Sequence, residues 1–125
     1  MNSVNRFLVI GRLKEEPSIR TLESGAKVSN IVLVTERDYK DKEGNKIKDY
    51  LNFALWNKDA ENLCQISKKG ALITLEGYNT TKEVDVNGEK HYEFHPVVTK
   101  YKHLANAKNY TSEPIKEDSK EEITK

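Results

Sequence analysis

The sequence predicts an all-β domain: five strands in Greek-key order forming a small barrel, with one helix between the third and fourth strands. Three observations carry this prediction. Short segments rich in β-branched and apolar residues alternate with Gly-centred turns. A single stretch, directly after the third such segment, has helical periodicity. The pair Asn87-Gly88, the best two-residue hairpin signal in the chain, joins the last two strands.

Residues 4–13 are apolar and β-branched, and Glu15, Glu16 and Pro17 end that first strand. Ser24-Gly25 makes a turn. Residues 27–35 hold Val28, Ile31, Val32, Leu33 and Val34, a mostly buried second strand. Residues 37–48 are polar around Glu43-Gly44-Asn45 and read as an exposed loop or hairpin tip. Residues 50–56 form the third strand. Residues 57–69 are the helix: Asn57 is placed to cap it, and Asp59 and Glu61 stand in the first turn where the helix dipole favours acids. Ala60, Leu63, Cys64 and Ser67 recur at helical spacing, and Lys68, Lys69 and Gly70 mark its end. Residues 71–77 form the fourth strand. A polar arm, 78–86, turns at Asn87-Gly88 into a returning strand from about Glu89 to Leu104, where Pro96 favours an edge position or a bulge. This order is that of the OB-fold, a five-stranded Greek-key barrel, although strand lengths alone also permit other small barrels.

The chain of 125 residues carries 21 Lys+Arg against 20 Asp+Glu, a formal net charge of +1, with 33% charged and 36% hydrophobic residues. That is one domain with a very polar surface or an unstructured part. Residues 105–125 have only Tyr110, Ile115 and Ile123 as large apolar side chains, so a disordered polar tail is expected after a folded unit at 1–104. No run approaches the ~18 apolar residues of a membrane span, and the N-terminus lacks the apolar core of a secretory signal. The one cysteine, Cys64, excludes an internal disulfide and a cysteine zinc cluster. A reducing cytoplasm fits this. The near-zero charge is unusual for a nucleic-acid binder.

Alternation along the third strand puts Leu51, Phe53 and Leu55 on one face as core, and Tyr50, Asn52, Ala54 and Trp56 on the other. Aromatics on a polar strand face are stacking platforms for bases. The same face is equally suited to packing under a loop or another subunit. Tyr39 stands between Arg37 and Lys40, a π face beside cations for phosphate. Alternatively Asp38 and Asp41 neutralise those cations at a charged hairpin tip. Nothing points to catalysis, a metal or a cofactor. His91 and His95, four apart on a strand, are separated by roughly 13 Å and cannot share a metal ion. His103 stands alone, Cys64 lies on the apolar helix stripe, and Gly11-Arg12 lacks the further glycines of a dinucleotide fingerprint.

Several motifs in order resemble the bacterial single-stranded DNA-binding protein family. "VNRFLVIGRL" (4–13) looks like its first strand. "EPSIRTLESGAKVSNIVLVTERDYKDKEG" (16–44) resembles its Pro-x-x-Arg turn, Ser-Gly turn, second strand and aromatic-basic loop. "DYLNFALWNKDAENLCQISKKGALITLEG" (49–77) resembles its third strand, helix, Lys-Lys-Gly cap and fourth strand, and "NGEKHYEF" (87–94) its outgoing hairpin. The resemblance covers residues 4–104. It implies an OB-fold that assembles as a homotetramer, is not an enzyme, and binds single-stranded DNA in the cytoplasm, at the nucleoid, without strong sequence preference. It implies stacking by Tyr39, Tyr50 and Trp56, and phosphate contacts by Arg12, Arg20, Arg37, Lys40 and Lys58.

The chain departs from the family pattern in four places. Val84 stands where the arm often has a tryptophan, the arm 77–85 keeps only Lys82 as a cation, and Thr21 replaces a frequent aromatic. The tail ends "EDSKEEITK" instead of in an acidic tip with Pro-Phe, which puts docking of replication and repair proteins through that tip in doubt. The alternative function is an OB-fold protein-interaction module that binds DNA weakly or not at all. A small nuclease ranks third, because no acid cluster is present to hold its metal.

Overall fold

The computed structural model describes residues 1–107. Its elements are β1 (Phe7–Leu13), β2 (Arg20–Thr21), β3 (Lys27–Lys40), β4 (Lys46–Trp56), α1 (Asn57–Ile66), β5 (Leu72–Val86) and β6 (Glu89–Ala105). Apart from the two-residue β2, this is the predicted order of three strands, a helix and two strands. All pairings are antiparallel. The sheet runs β2-β3-β1-β5-β6, with β4 also paired to β3. Because β4 takes one edge of β3 from Val28 to Glu36, β1 and β2 share the other. The sheet curls so that β4 and β6 approach each other, and no ladder joins them. This is the OB-fold plan with its last seam open.

The core lies inside the curl: Leu13, Ile31, Leu33, Phe53, Leu55, Ile73 and Leu75 from the strands, with Ala60 and Leu63 from α1. Burying such side chains contributes roughly 1.5–3 kcal/mol each. Two glycines permit the curvature. A Cβ on Gly11 would stand 2.9 Å from the Val34 carbonyl oxygen, and one on Gly77 only 1.8 Å from that of Val97. The β5–β6 register shifts at Glu76/Gly77, three residues from Pro96's partner Asn79. Pro96 therefore sits on the sheet's edge strand, close to a bulge, as its missing N–H requires.

Element bounds differ from expectation where long-range contacts decide them. The first strand begins at Phe7, three residues later than expected; ahead of it the Asn5 side-chain amide bonds the backbone of Asn79 through both its oxygen and its nitrogen. Of the two readings of 37–48, the hairpin tip holds and the loop does not. The β3–β4 ladder continues through it, and the turn is confined to residues 41–45, where Asp41 Oδ1 accepts from the Glu43 and Asn45 N–H groups. The arm after Gly77 continues β5 to Val86, and Asn87 and Gly88 have the paired positive φ, 53° and 83°, of a tight hairpin turn.

Asn57 does not cap the helix. Trp56 holds the cap position without a side-chain bond, and Asn57 has φ +51°, its Oδ1 accepting from the Lys27 N–H. The helix also ends at Ile66 and not at Lys69. Ser67 is extended because its buried hydroxyl is held 2.6 Å from the Tyr101 hydroxyl and 2.8 Å from His103 Nδ1. Asn106 closes the end, accepting from the Lys68 N–H and donating to the Ile66 carbonyl. The rest of the stretch expected to form a disordered tail lies outside the described residues.

Candidate nucleic-acid interface

The ladder arranges the expected residues into rows. Arg20 is opposite Val28, and Val28 is opposite Trp56. Directly paired residues share a sheet face, so Arg20 and Trp56 flank Val28. Likewise Arg12 is opposite Val34, and Val34 opposite Tyr50. Each aromatic thus shares a row and a face with one arginine. Trp56 is 49% and Tyr50 56% exposed, far more than packing under a loop of this chain would leave. The six steps along the strand from Tyr50 to Trp56 span about 20 Å.

Arg12 is fixed in place: its Nη1 donates to the Gly70 carbonyl at 3.0 Å. Lys14, which carried no sequence expectation, lies 5.6 Å from the centre of the Tyr50 ring, a cation–π distance. Lys58 is exposed in the first turn of α1, two residues after Trp56. Lys46 and Lys48 alternate with Tyr50 onto its face of β4. Neither was expected from sequence, where the third strand begins at Tyr50; the same alternation, carried four residues upstream, finds them.

Arg37 and Tyr39 are brought together, but away from this face. Arg37 Nε and Nη2 donate to both carboxylate oxygens of Asp49 at 2.9 and 3.0 Å, and Nη1 donates to the Tyr39 hydroxyl at 3.0 Å. Asp49 alternates onto the face opposite Tyr50, and Arg37 and Tyr39 accompany it. The two hydrogen bonds from Arg37 hold the Asp49 carboxyl below its ordinary value, and those with Asp49 push the Arg37 guanidinium still higher. Arg37 is therefore already neutralised, by Asp49 and not by the Asp38 or Asp41 considered from sequence. Lys40 stands at the hairpin tip opposite Lys46, and Lys46 lies 3.6 Å from Glu36. On the other arm, Val84 is opposite His91, while the exposed aromatics are Tyr78 at its base and Tyr92 and Phe94 on the returning strand. Among the described residues no group of three or more His, Cys, Asp or Glu side chains is placed to hold a metal ion, and no helix is long and apolar enough to cross a membrane.

Residues 4–112 match the model of the single-strand binding protein family. The chain belongs to that family. Relatives within it include a single-stranded DNA-binding protein of Halalkalibacterium halodurans, 33% identical over 84 residues, covering 67% of this chain and 50% of the relative. Single-stranded DNA-binding protein B of Bacillus subtilis is 33% identical over 81 residues, covering 65% of this chain and 72% of its own. Single-stranded DNA-binding protein 1 of Lactococcus lactis is 30% identical over 121 residues, covering 94% and 81%. The chain spans about half the length of several family relatives it matches. Its fold is similar to a crystal structure of a deletion mutant of the single-stranded DNA binding protein from Thermus aquaticus, with TM-score 0.64 and 24% identity, covering 81% of this chain and 50% of that one.

Proposed function

We propose that this family member binds single-stranded DNA, without catalysis and largely without regard to sequence, in replication, recombination or repair. The observation that carries the reading is the pair of cross-strand rows, Arg20–Val28–Trp56 and Arg12–Val34–Tyr50. Each offers a base a π face and a phosphate a cation, the combination that sequence-tolerant strand binding uses. Tyr50 and Trp56 stack on bases; Arg12, Arg20, Lys40 and Lys58 meet phosphates. Tyr39 and Arg37 form a separate station on the other face of the β3–β4 arm. The protein acts as a homotetramer in the cytoplasm, at the nucleoid. Leu8 and Ile10, 64% and 53% exposed on the outer face of β1, support self-association.

Trp56 is the chain's only tryptophan, so titration with oligo-dT tests the reading directly. Quenching of its fluorescence with saturable binding is expected, and light scattering of the same samples reports assembly. Absence of quenching together with absence of filter binding at low salt refutes it. A second reading, a protein-interaction module using the same aromatic face, draws on the neutralised Arg37, and that filter-binding result would favour it.

A further inference from the structure

The first half of β6 runs along the β5–β6 ribbon and pairs with β5 alone. Every residue from Glu89 to His95 is exposed, so this strand presents a free edge of unpaired N–H and C=O groups. Such an edge is a template for another strand unless something blunts it. Pro96, which has no N–H, ends the stretch. The register with β5 is unbroken from Tyr78–Val97 to Val86–Glu89, so alternation along it is regular. Glu89, His91, Glu93 and His95 share one face, and Lys90, Tyr92 and Phe94 the other. Tyr92 is 70% and Phe94 76% exposed. Edges are commonly blunted by lysines or other charges; here acids and histidines alternate instead.

That alternation is complementary to itself. Two copies of the strand laid antiparallel about a two-fold axis at Tyr92 bring Glu89 opposite the partner's His95 and His91 opposite the partner's Glu93. Symmetry makes this four acid–histidine pairs. On the other face Tyr92 meets the partner's Tyr92, and Lys90 meets the ring of the partner's Phe94, a cation–π pair. Sliding the register by two residues either way sets Glu against Glu and His against His, so one register is selected. In that register the partner's Gly88 falls opposite Pro96, where a cleft of about 420 Å³ between β6 and the β3–β4 sheet leaves room for a turn. We infer that the free edge 89–95 of β6 is a docking surface for the same edge of a second copy, closed by acid–histidine pairs and strengthened as pH falls. Histidine gains its charge between about pH 8 and 5, whereas glutamate loses its own only near about pH 4.3. The charged groups facing the two histidines are Glu89 and Glu93 on their own strand and Lys82, which β5 places opposite Glu93; Val84 and Thr80, opposite His91 and His95, are uncharged. Each row thus sets two acids against one fixed cation and favours the partner's protonated histidines. The surface is separate from the outer face of β1 and needs no DNA.

The test is the molar mass of the full chain, without DNA, by sedimentation equilibrium at pH 8 and pH 5.5. Whatever species is present at pH 8 is expected to associate further at pH 5.5. At about 1.4- to 5-fold for each cross-strand pair, the four pairs raise the association constant about 4- to 600-fold. Overall charge predicts the reverse: three histidines added to a formal +1 take the chain toward +4, and a larger net charge keeps copies apart. Glu93→His sets histidine against histidine and is expected to abolish the rise. His91→Glu sets glutamate against glutamate and is expected to weaken association at both pH values. The double variant, His91→Glu with Glu93→His, again sets opposite charges across the two-fold axis and is expected to recover the wild-type rise. Both side chains are exposed, so the variants keep the fold, which circular dichroism checks. A molar mass that does not rise on acidification overturns the inference, as does a rise that survives Glu93→His or a double variant no better than the single ones.

Discussion

Replacing Asp49 by asparagine is expected to strengthen binding to single-stranded DNA. In the folded chain both carboxylate oxygens of Asp49 hold Arg37, at 2.9 and 3.0 Å. A phosphate approaching Arg37 must compete with that bidentate pair, so Arg37 releases little counterion charge when DNA binds. Asp49→Asn removes the competing charge and leaves Arg37 and its contact to Tyr39. If Arg37 then meets one phosphate, the slope of log K against log salt steepens by ~0.7. Between 50 and 200 mM salt, that difference shrinks the variant's advantage by ~2.6-fold, so the gain is largest at low salt. The complementary change is Arg37→Ala in the otherwise unaltered chain, which is expected to move the slope hardly at all, whereas Lys40→Ala flattens it by ~0.7. Trp56 fluorescence titrations with oligo-dT at three or four salt concentrations measure all four proteins. A full ~0.7 loss of slope in Arg37→Ala, with no change in Asp49→Asn, would refute the claim that Asp49 silences Arg37.

Trp56→Ala is expected to weaken oligo-dT binding by ~1–3 kcal/mol, read by filter binding because the fluorescent reporter is lost. Ser67→Ala strips the shared partner from Tyr101 and His103, and a buried group left unsatisfied costs about 1–3 kcal/mol; urea denaturation should show that loss without a change in DNA affinity per folded molecule. Burial raises the Tyr101 phenol above its ordinary value, partly offset by the bond to Ser67. Its contribution to stability is therefore complete below the unfolded value near 10 and lost as pH rises through the higher folded one; thermal melts between pH 9 and 12 should show an alkaline decline that Tyr101→Phe makes shallower. Gly77→Ala puts a Cβ 1.8 Å from the Val97 carbonyl oxygen, so backbone must move, and a loss at or beyond the upper end of ~1–3 kcal/mol is expected in denaturant titrations.

Local pattern carried most of the strands, because a half-buried strand writes its alternation into the chain. Leu51, Phe53 and Leu55 against Tyr50, Asn52 and Trp56 is such a record, and the structure keeps both faces as expected. The helix stripe held in part: Ala60 and Leu63 are buried, Cys64 is half-buried, and Ser67 is buried just past the helix end. The misses share one cause: they depend on residues far away in sequence. Asn57 looks like a cap until Lys27, thirty residues earlier, takes its side chain. The helix end looks like Lys69 until Tyr101 and His103 fix Ser67. Residues 37–48 left loop and hairpin tip open for a different, local reason: their polarity reflects two solvated faces of a ribbon that has left the core, not the absence of a ladder.

Pairing across strands also explains how a chain with a net charge of +1 can present a cationic face. The ion pairs among the described residues join Arg6 to Glu76, Lys27 to Glu61, Arg37 to Asp49, Lys46 to Glu36 and Lys68 to Glu16. Those pairs take up five carboxylates and as many cations. The hydrogen bond and charge of Lys27, for example, hold the Glu61 carboxyl below its ordinary value. Arg12, Lys14 and Arg20 take part in none of them, and these are the cations whose rows and ring contacts surround Tyr50 and Trp56. Net charge averages over both populations, whereas a strand of phosphates senses those within about a Debye length, ~8–10 Å at physiological salt. A nearly neutral chain is thus compatible with a locally positive groove, provided that acids and bases are sorted by the ladder. Asp49 shows the sorting from the other side: one carboxylate on the opposite face of β4 takes Arg37 out of the phosphate-binding set and leaves the Tyr50 face untouched.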